Sequence, residues 1–294
     1  MSEFWNKNIV KKVEVVVAYF RKNWYRATIA EIKKHIKDIY DPDIIFDIKE
    51  LKNADNILHF TFFGQHICML FPKWLNDNQK IHINSILDEI FNKQIYKNLF
   101  WDKILDIWWY YWESAIYFHA TNPDAQIHIY EPQKTCFEYI GKSLKGIPNI
   151  YLYNNFVVWN KNESTFWIAD NWLCDSKKEP IIWSYNSNFS YPKVVDIETI
   201  INNYDPDCIK IDVEWWEYDI CKKIIDKPEL LKNITNGVVE FHDLWIEINQ
   251  QNLLNFILKL KILWYSYKYI YSDWRSIGFE QVKKYWIINL YFCK

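Results

Sequence analysis

Residues 108–112 read Trp-Trp-Tyr-Tyr-Trp, and they stand where the chain needs a tight turn. The run Lys103–Ile107 has the pattern of a strand that ends beside Asp106, and a helical pattern starts near Glu113. A turn between the two requires residues that reach positive φ without a clash, which suits glycine and not tryptophan. The same substitution recurs along the chain. Trp24 follows Lys22-Asn23, Trp172 follows Asn171, Trp274 follows Asp273, and Trp159 sits in "VVWNKNES". Asn-Gly and Asp-Gly are turn dipeptides; Asn-Trp and Asp-Trp are not.

Composition gives this a cause. Glycine occurs 5 times in 294 residues, where an average content predicts roughly 20, and tryptophan occurs 17 times. The deficit of one matches the surplus of the other. UGA is a stop in the standard code, Trp in some bacterial codes and Gly in at least one. A gene of the last kind read with the wrong table would produce this chain, with most Trp standing for Gly. Basic residues fit an AT-rich gene, because Arg is confined to Arg21, Arg26 and Arg275. The bland alternative is a genuine Trp-rich binding surface.

The remaining composition bounds the class. Half the residues are hydrophobic, enough for a real core, and the net charge is −2. That balance carries no electrostatic footprint for nucleic acid or an anionic membrane. No apolar run is long enough to span a bilayer, and the N-terminus lacks the pattern of a signal peptide. Cys68, Cys136, Cys174, Cys208, Cys221 and Cys293 contain no C-x-x-C pair. Neither a disulfide framework nor a zinc site is expected, and a reducing cytoplasm is the default compartment.

Residues 1 to about 40 read as helical, 43–72 as a small β-hairpin or meander, and 76–100 as helix. From 103 the pattern becomes strand, turn, helix, repeated. The expected strands are Lys103–Ile107, Gln126–Tyr130, Asn149–Tyr153, Cys208–Val213, Val238–His242 and Tyr285–Phe292. Alternating β and α implies an α/β fold with a doubly wound, mostly parallel, Rossmann-like sheet. The pattern places an N-terminal α+β extension over 1–99 and a catalytic domain over 100–294. The aromatic stretch 262–274 reads as core or a covered edge, with ligand stacking as the sharper alternative.

Ligands of such sheets bind at the carboxyl ends of the strands. Those ends carry Asp106, Glu113 and Ser114, then Glu131, then Asn154 and Asn155, then Asp212 and Glu214, then Glu240 and His242. With glycine restored, the first turn is D-x-G-x-x-x-G at Asp106, Trp108 and Trp112. That spacing is not the G-x-G-x-x-G of a dinucleotide turn. Asp212 and Glu214 share one side of a strand by its period of two. Asp106 could merely cap a helix, and a lone His at a strand end is often a satisfied core residue.

Taken in order, "ILDIWWYYWESAIYF", "IHIYEPQKTCFEYI", "NIYLYNNFVVWN", "IKIDVEWWEYDI" and "GVVEFHDL" resemble the FkbM-like S-adenosylmethionine-dependent methyltransferases, over roughly residues 100–292. The family's glycines fall on Trp108, Trp112, Trp215 and Trp159. The chain departs from the family at Tyr110, where Asn is frequent. The resemblance implies a class I methyltransferase fold and methyl transfer from S-adenosylmethionine, usually to a hydroxyl of a saccharide or another small metabolite. It implies cofactor contacts from Asp106, Trp108, Trp112, Glu113, Ser114, Glu131 (ribose) and Asn155 or a neighbour (adenine). His242 is then the candidate general base, with Asp212 or Glu214 as alternatives. Two other readings stand beside it: a nucleotide-sugar or dinucleotide enzyme on a similar sheet, and a non-enzymatic interaction domain with genuine Trp. The expected partner is a small-molecule or glycan acceptor, with neither nucleic acid nor membrane.

Overall fold

Alternation of apolar and polar residues over 56–71 produces two strands, β1 (Asn56–Phe62) and β2 (Gln65–Phe71), paired antiparallel with Phe62 opposite Gln65. The two-residue loop between them, Phe63-Gly64, has positive φ at both positions, 48° and 75°, the conformation whose twist suits a hairpin. This is the hairpin expected from the sequence. A computed structural model of the chain describes residues 44, 46, 55–73, 75–97, 99, 101–108, 113–159, 168–169, 189–190, 193–213, 216–270, 276–277 and 287–294. The helical reading of residues 1–40 lies outside the described residues.

Helix α1 (Asp77–Leu87) starts at a capping box. Gln79 donates its backbone N–H to Asn76 Oδ1, and Asn76 returns its own to Gln79 Oε1, at 2.9 and 3.0 Å. From β3 (Lys103–Trp108) the chain alternates: α2 (Glu113–Thr121), β4 (Gln126–Tyr130), α3 (Lys134–Ser143) and β5 (Ile150–Tyr153). A small ladder follows, β6 (Asn155–Val158) parallel to β9 (Lys193–Asp196), with the short pair β7 (Ile168–Ala169) and β8 (Phe189–Ser190) between them in sequence. Next come α4 (Ile197–Tyr204), β10 (Cys208–Asp212), α5 (Glu217–Asp226), β11 (Asn236–Phe241), α6 (Glu247–Ile262), β12 (Ser266–Ile270), β13 (Ser276–Ile277) and β14 (Ile288–Cys293).

The main sheet has the order β13-β12-β14-β11-β10-β3-β4-β5. Strands β11, β10, β3, β4 and β5 are mutually parallel, and β14 runs antiparallel between β11 and β12. It is a mostly parallel central sheet flanked by helices, the doubly wound, Rossmann-like arrangement expected from the sequence. Strand β12 falls inside the stretch 262–274, and its Tyr269 and Ile270 are buried. Leu105, Ile211 and Phe241 from the strands pack with Ile220 of α5 and Phe256 of α6 in one apolar core. The helices cover the sheet as parallel strands require.

Contacts group Phe46–Lys294 into one compact unit, so the hairpin and α1 share it with the sheet. Phe60 and Phe62 of the hairpin meet Phe91 edge-on, and Phe62 also meets Tyr117 of α2. Ser143 Oγ of α3 accepts the backbone N–H of Leu70, at 2.9 Å. Among the described residues no helix is long and apolar enough to cross a membrane.

Gly237 in β11 is a position where space decides the residue. A Cβ there would lie 2.6 Å from Phe292 Cζ and 2.7 Å from the Ile209 carbonyl oxygen. Gly237→Ala is therefore expected to cost about 1–3 kcal/mol by overpacking, read as a lower urea midpoint.

Candidate active site

The chain runs β3, β4, β5 in one direction across the sheet and resumes at β10 on the other side of β3. The carboxyl ends of β3 and β10 therefore flank the point where strand order reverses, the usual crevice for a ligand in such sheets. Asp106 on β3 lies opposite Lys210 on β10, and Trp108 lies opposite Asp212. The period of two puts Lys210 and Asp212 on one face of β10. Lys210 Nζ consequently sits 3.6 Å from Asp106 Oδ1 and 3.4 Å from Asp212 Oδ2. All three side chains are buried.

Asp106 is further tied to α2, because Ser114 Oγ donates to its Oδ2 at 2.7 Å. Burial pushes the Asp106 carboxyl up; Lys210 and the Ser114 bond draw it back without cancelling the rise. Glu113 opens α2 and is fully buried. Neither of its carboxylate oxygens has a hydrogen-bond partner among the described residues. Burial holds its carboxyl well above the usual carboxylate range, eased by its own backbone N–H and by Lys210.

Glu131 follows β4 and is buried, its Oε1 accepting the Gln133 N–H at 2.7 Å. Asn154 donates through Nδ2 to the carbonyl oxygens of Glu131 and Pro132, at 2.9 and 3.0 Å. Asn155 instead opens β6, paired with Lys193. Of the two neighbouring asparagines, Asn154 is the one bonded beside Glu131.

His242 lies just past β11, buried. Its backbone N–H donates to Glu217 Oε1 at 2.8 Å, and its Nδ1 lies 3.2 Å from the same oxygen. Tyr218 donates its hydroxyl to the His242 carbonyl. The Nε2 atom lies 3.5 Å from Glu240 Oε1. Asp212 and His242 thus belong to neighbouring strand ends.

The structure brings together Asp106, Ser114 and Asp212 through Lys210, and sets Glu113 within electrostatic reach of them. Trp108 is placed by its backbone at the end of β3. Trp112 and Glu214 lie outside the described residues. Sequence reasoning missed Lys210 and gave Glu217, which follows the fourth strand, no role. Lys210 interrupts the apolar run "CIKID", an unusual residue for a fully buried strand, and that was its available signal.

No protein-family model matches the chain, and no curated protein matches it. Several solved structures are distantly similar. The precorrin-6y C5,15-methyltransferase of Geobacter metallireducens aligns at 12% identity over 76% of this chain and 93% of its own, with a TM-score of 0.35. The O-methyltransferase TomG of Streptomyces achromogenes, in complex with SAM, aligns at 13% identity over 76% and 83%, with a TM-score of 0.35. An O-methyltransferase of Bacillus cereus, in complex with SAH, aligns at 8% identity over 75% and 82%, with a TM-score of 0.34. Likeness of this degree says nothing of what this chain binds or does.

Asp106 retains its proton to a higher pH in the fold than in the unfolded chain. Its contribution to stability is therefore full below the usual carboxylate range and is lost as pH rises through the folded value. Lys210 limits that loss. Lys210→Met is expected to cost about 3–5 kcal/mol at neutral pH, by stranding buried carboxylates. It should cost less near about pH 4, where Asp106, raised by burial, holds its proton. Urea melts at the two pH values read the difference.

Proposed function

We propose that the chain is an S-adenosylmethionine-dependent methyltransferase of the FkbM-like kind, methylating a hydroxyl of a saccharide or another small metabolite. The observation that carries the reading is the set of buried acids, Asp106, Glu113, Asp212 and Glu131, at or just past the carboxyl ends of the strands around the reversal of strand order. Acid at this place suits a cofactor whose sulfonium and ammonium groups are cationic. The cofactor supplies an activated methyl group, and the protein has chiefly to align the reactants.

In this reading the turn after β3 admits the methionine part of the cofactor, with Trp108 and Trp112 at the positions of close approach. Asp106 is positioned by Ser114 and Lys210. Glu131 accepts the ribose hydroxyls, and Asn155 or its neighbour Asn154 meets the adenine. His242 faces the acceptor hydroxyl, with Asp212 and Glu214 as alternative bases. Its ring is oriented by Glu217 through Nδ1. Acceptor choice is assigned to residues 1–99 and to the segment 160–200.

The proposal includes glycine at most Trp positions in the native protein. Trp264 supports it. Helix α6 ends with the Tyr265 N–H donating to Leu260 O and the Trp264 N–H donating to Lys261 O, at 2.9 and 3.0 Å. That pair of bonds is the Schellman ending, whose residue after the cap adopts the left-handed conformation and is usually glycine. Trp264 occupies that place with φ of 67° and is 89% exposed, so no packing compensates for the strain. Trp216 differs: it is buried and stacks on Trp159 with centroids 4.9 Å apart. Trp264→Gly is expected to stabilise the chain by about 1–2 kcal/mol. No rise in the urea midpoint would remove this support.

Calorimetric titration of S-adenosylmethionine into the chain as written, and into a version with all 17 Trp changed to Gly, tests the function. Binding to the glycine version alone is the expected result, because on this reading indoles at 108, 112 and 215 would compete with the cofactor for space. Failure of both folded proteins to bind would overturn the assignment, and binding of NAD instead would favour the dinucleotide reading.

A further inference from the structure

Strands β10 and β11 are neighbours in the sheet, with Lys210 opposite Val238 and Ile211 opposite Val239. The pleat therefore turns Asp212, Glu240 and the residue two beyond it, His242, toward one face at adjacent carboxyl ends. One carboxylate oxygen from each acid and one ring nitrogen of His242 lie within 4.8 Å of one another. Ligands about 2.1 Å from a metal stand about 3–4 Å apart, and His242 Nε2 is 3.5 Å from Glu240 Oε1. A second feature is independent of this convergence. Glu217 binds Nδ1 of His242 and also its backbone N–H, which fixes the ring and presents Nε2. Metal-ligating imidazoles are held by a carboxylate in this way.

We infer that Asp212, Glu240 and His242 form a binding site for a divalent first-row transition ion. One imidazole nitrogen with two carboxylate oxygens suits Mn²⁺, Fe²⁺ or Zn²⁺ better than the all-oxygen preference of Ca²⁺. Lys210 touches Asp212 through Oδ2 at 3.4 Å, so it tempers the charge of that ligand. The three ligands come from two strand ends and form no sequence motif, which is why cysteine and histidine spacing does not reveal them. The inference rests on the proposed methyltransferase reading only for its use. There, a bound ion would acidify a hydroxyl, and His242 would serve as ligand in place of its role as base.

The test is Mn²⁺ titration of the full chain, freed of metal by chelator and dialysis, following loss of the free-ion electron paramagnetic resonance signal. One Mn²⁺ per chain, displaced by Zn²⁺, is expected. Glu240→Gln should weaken binding at least about tenfold; Glu240 is half-buried, so this variant should fold, which circular dichroism checks. Asp212→Asn should weaken it similarly. Absence of binding at millimolar Mn²⁺, or binding that neither variant changes, would overturn the inference. No cofactor is present in this titration, whereas the S-adenosylmethionine titration can be run in chelator, so the two proposals fail separately.

Discussion

Lys210 stands between two carboxylates in a part of the sheet that water hardly reaches, 3.6 Å from Asp106 and 3.4 Å from Asp212. An ammonium or a carboxylate alone in that place would carry a severe desolvation penalty, so each requires the other. The pairing also sets register. A slip of one residue in β10 would turn Lys210 to the opposite face and leave Asp106 without its cation. The reversal of strand order, the site and the buried charges are thus one feature of the sheet.

The helices that follow the strands extend this arrangement. Ser114 in the first turn of α2 binds Asp106, which ties that helix to β3. Glu217 in the first turn of α5 binds both the backbone and the ring of His242, which ties that helix to the end of β11. Each tie is short and buried, and each orients a polar group at the carboxyl edge. The apolar core beneath supplies the rigid support, with α5 and α6 packed together against the strands. Glu113 differs from its neighbours, since its carboxyl is buried and unpartnered among the described residues. Such a group is costly to the fold and is the kind of polar atom a bound cation would satisfy.

Much of the sheet was legible in the sequence because its signals are local. The strand at 126–130 has the expected bounds, and those at 103, 150 and 208 differ by one residue at an end. Strand β11 begins two residues earlier than expected, at Asn236, and ends one earlier, at Phe241; β14 covers Ile288–Cys293, and positions 285 and 286 of the expected strand lie outside the described residues. Strand β12 was harder to see, since "SYKYI" has no clean alternation and its burial comes from the strands beside it. Lys210 was passed over because its partner Asp106 sits on another strand far away in sequence. Glu217 carries no role in the sequence for the same reason: alone it reads as an acidic residue favouring a helix start. Asn154 and Asn155 are indistinguishable in sequence, and the start of β6 separates them.

The sequence by itself determined the alternation of strands and helices, the acidic residues at strand ends and the excess of tryptophan where turns demand glycine. Periodicity and turn chemistry act within a few residues, so they can be read along the chain. Only the tertiary structure decided which of those acids meet. It placed Lys210 between Asp106 and Asp212, gave Glu217 to His242, and brought Asp212, Glu240 and His242 within 4.8 Å. Those encounters depend on strand order and register, which arise from packing the whole sheet beneath its helices.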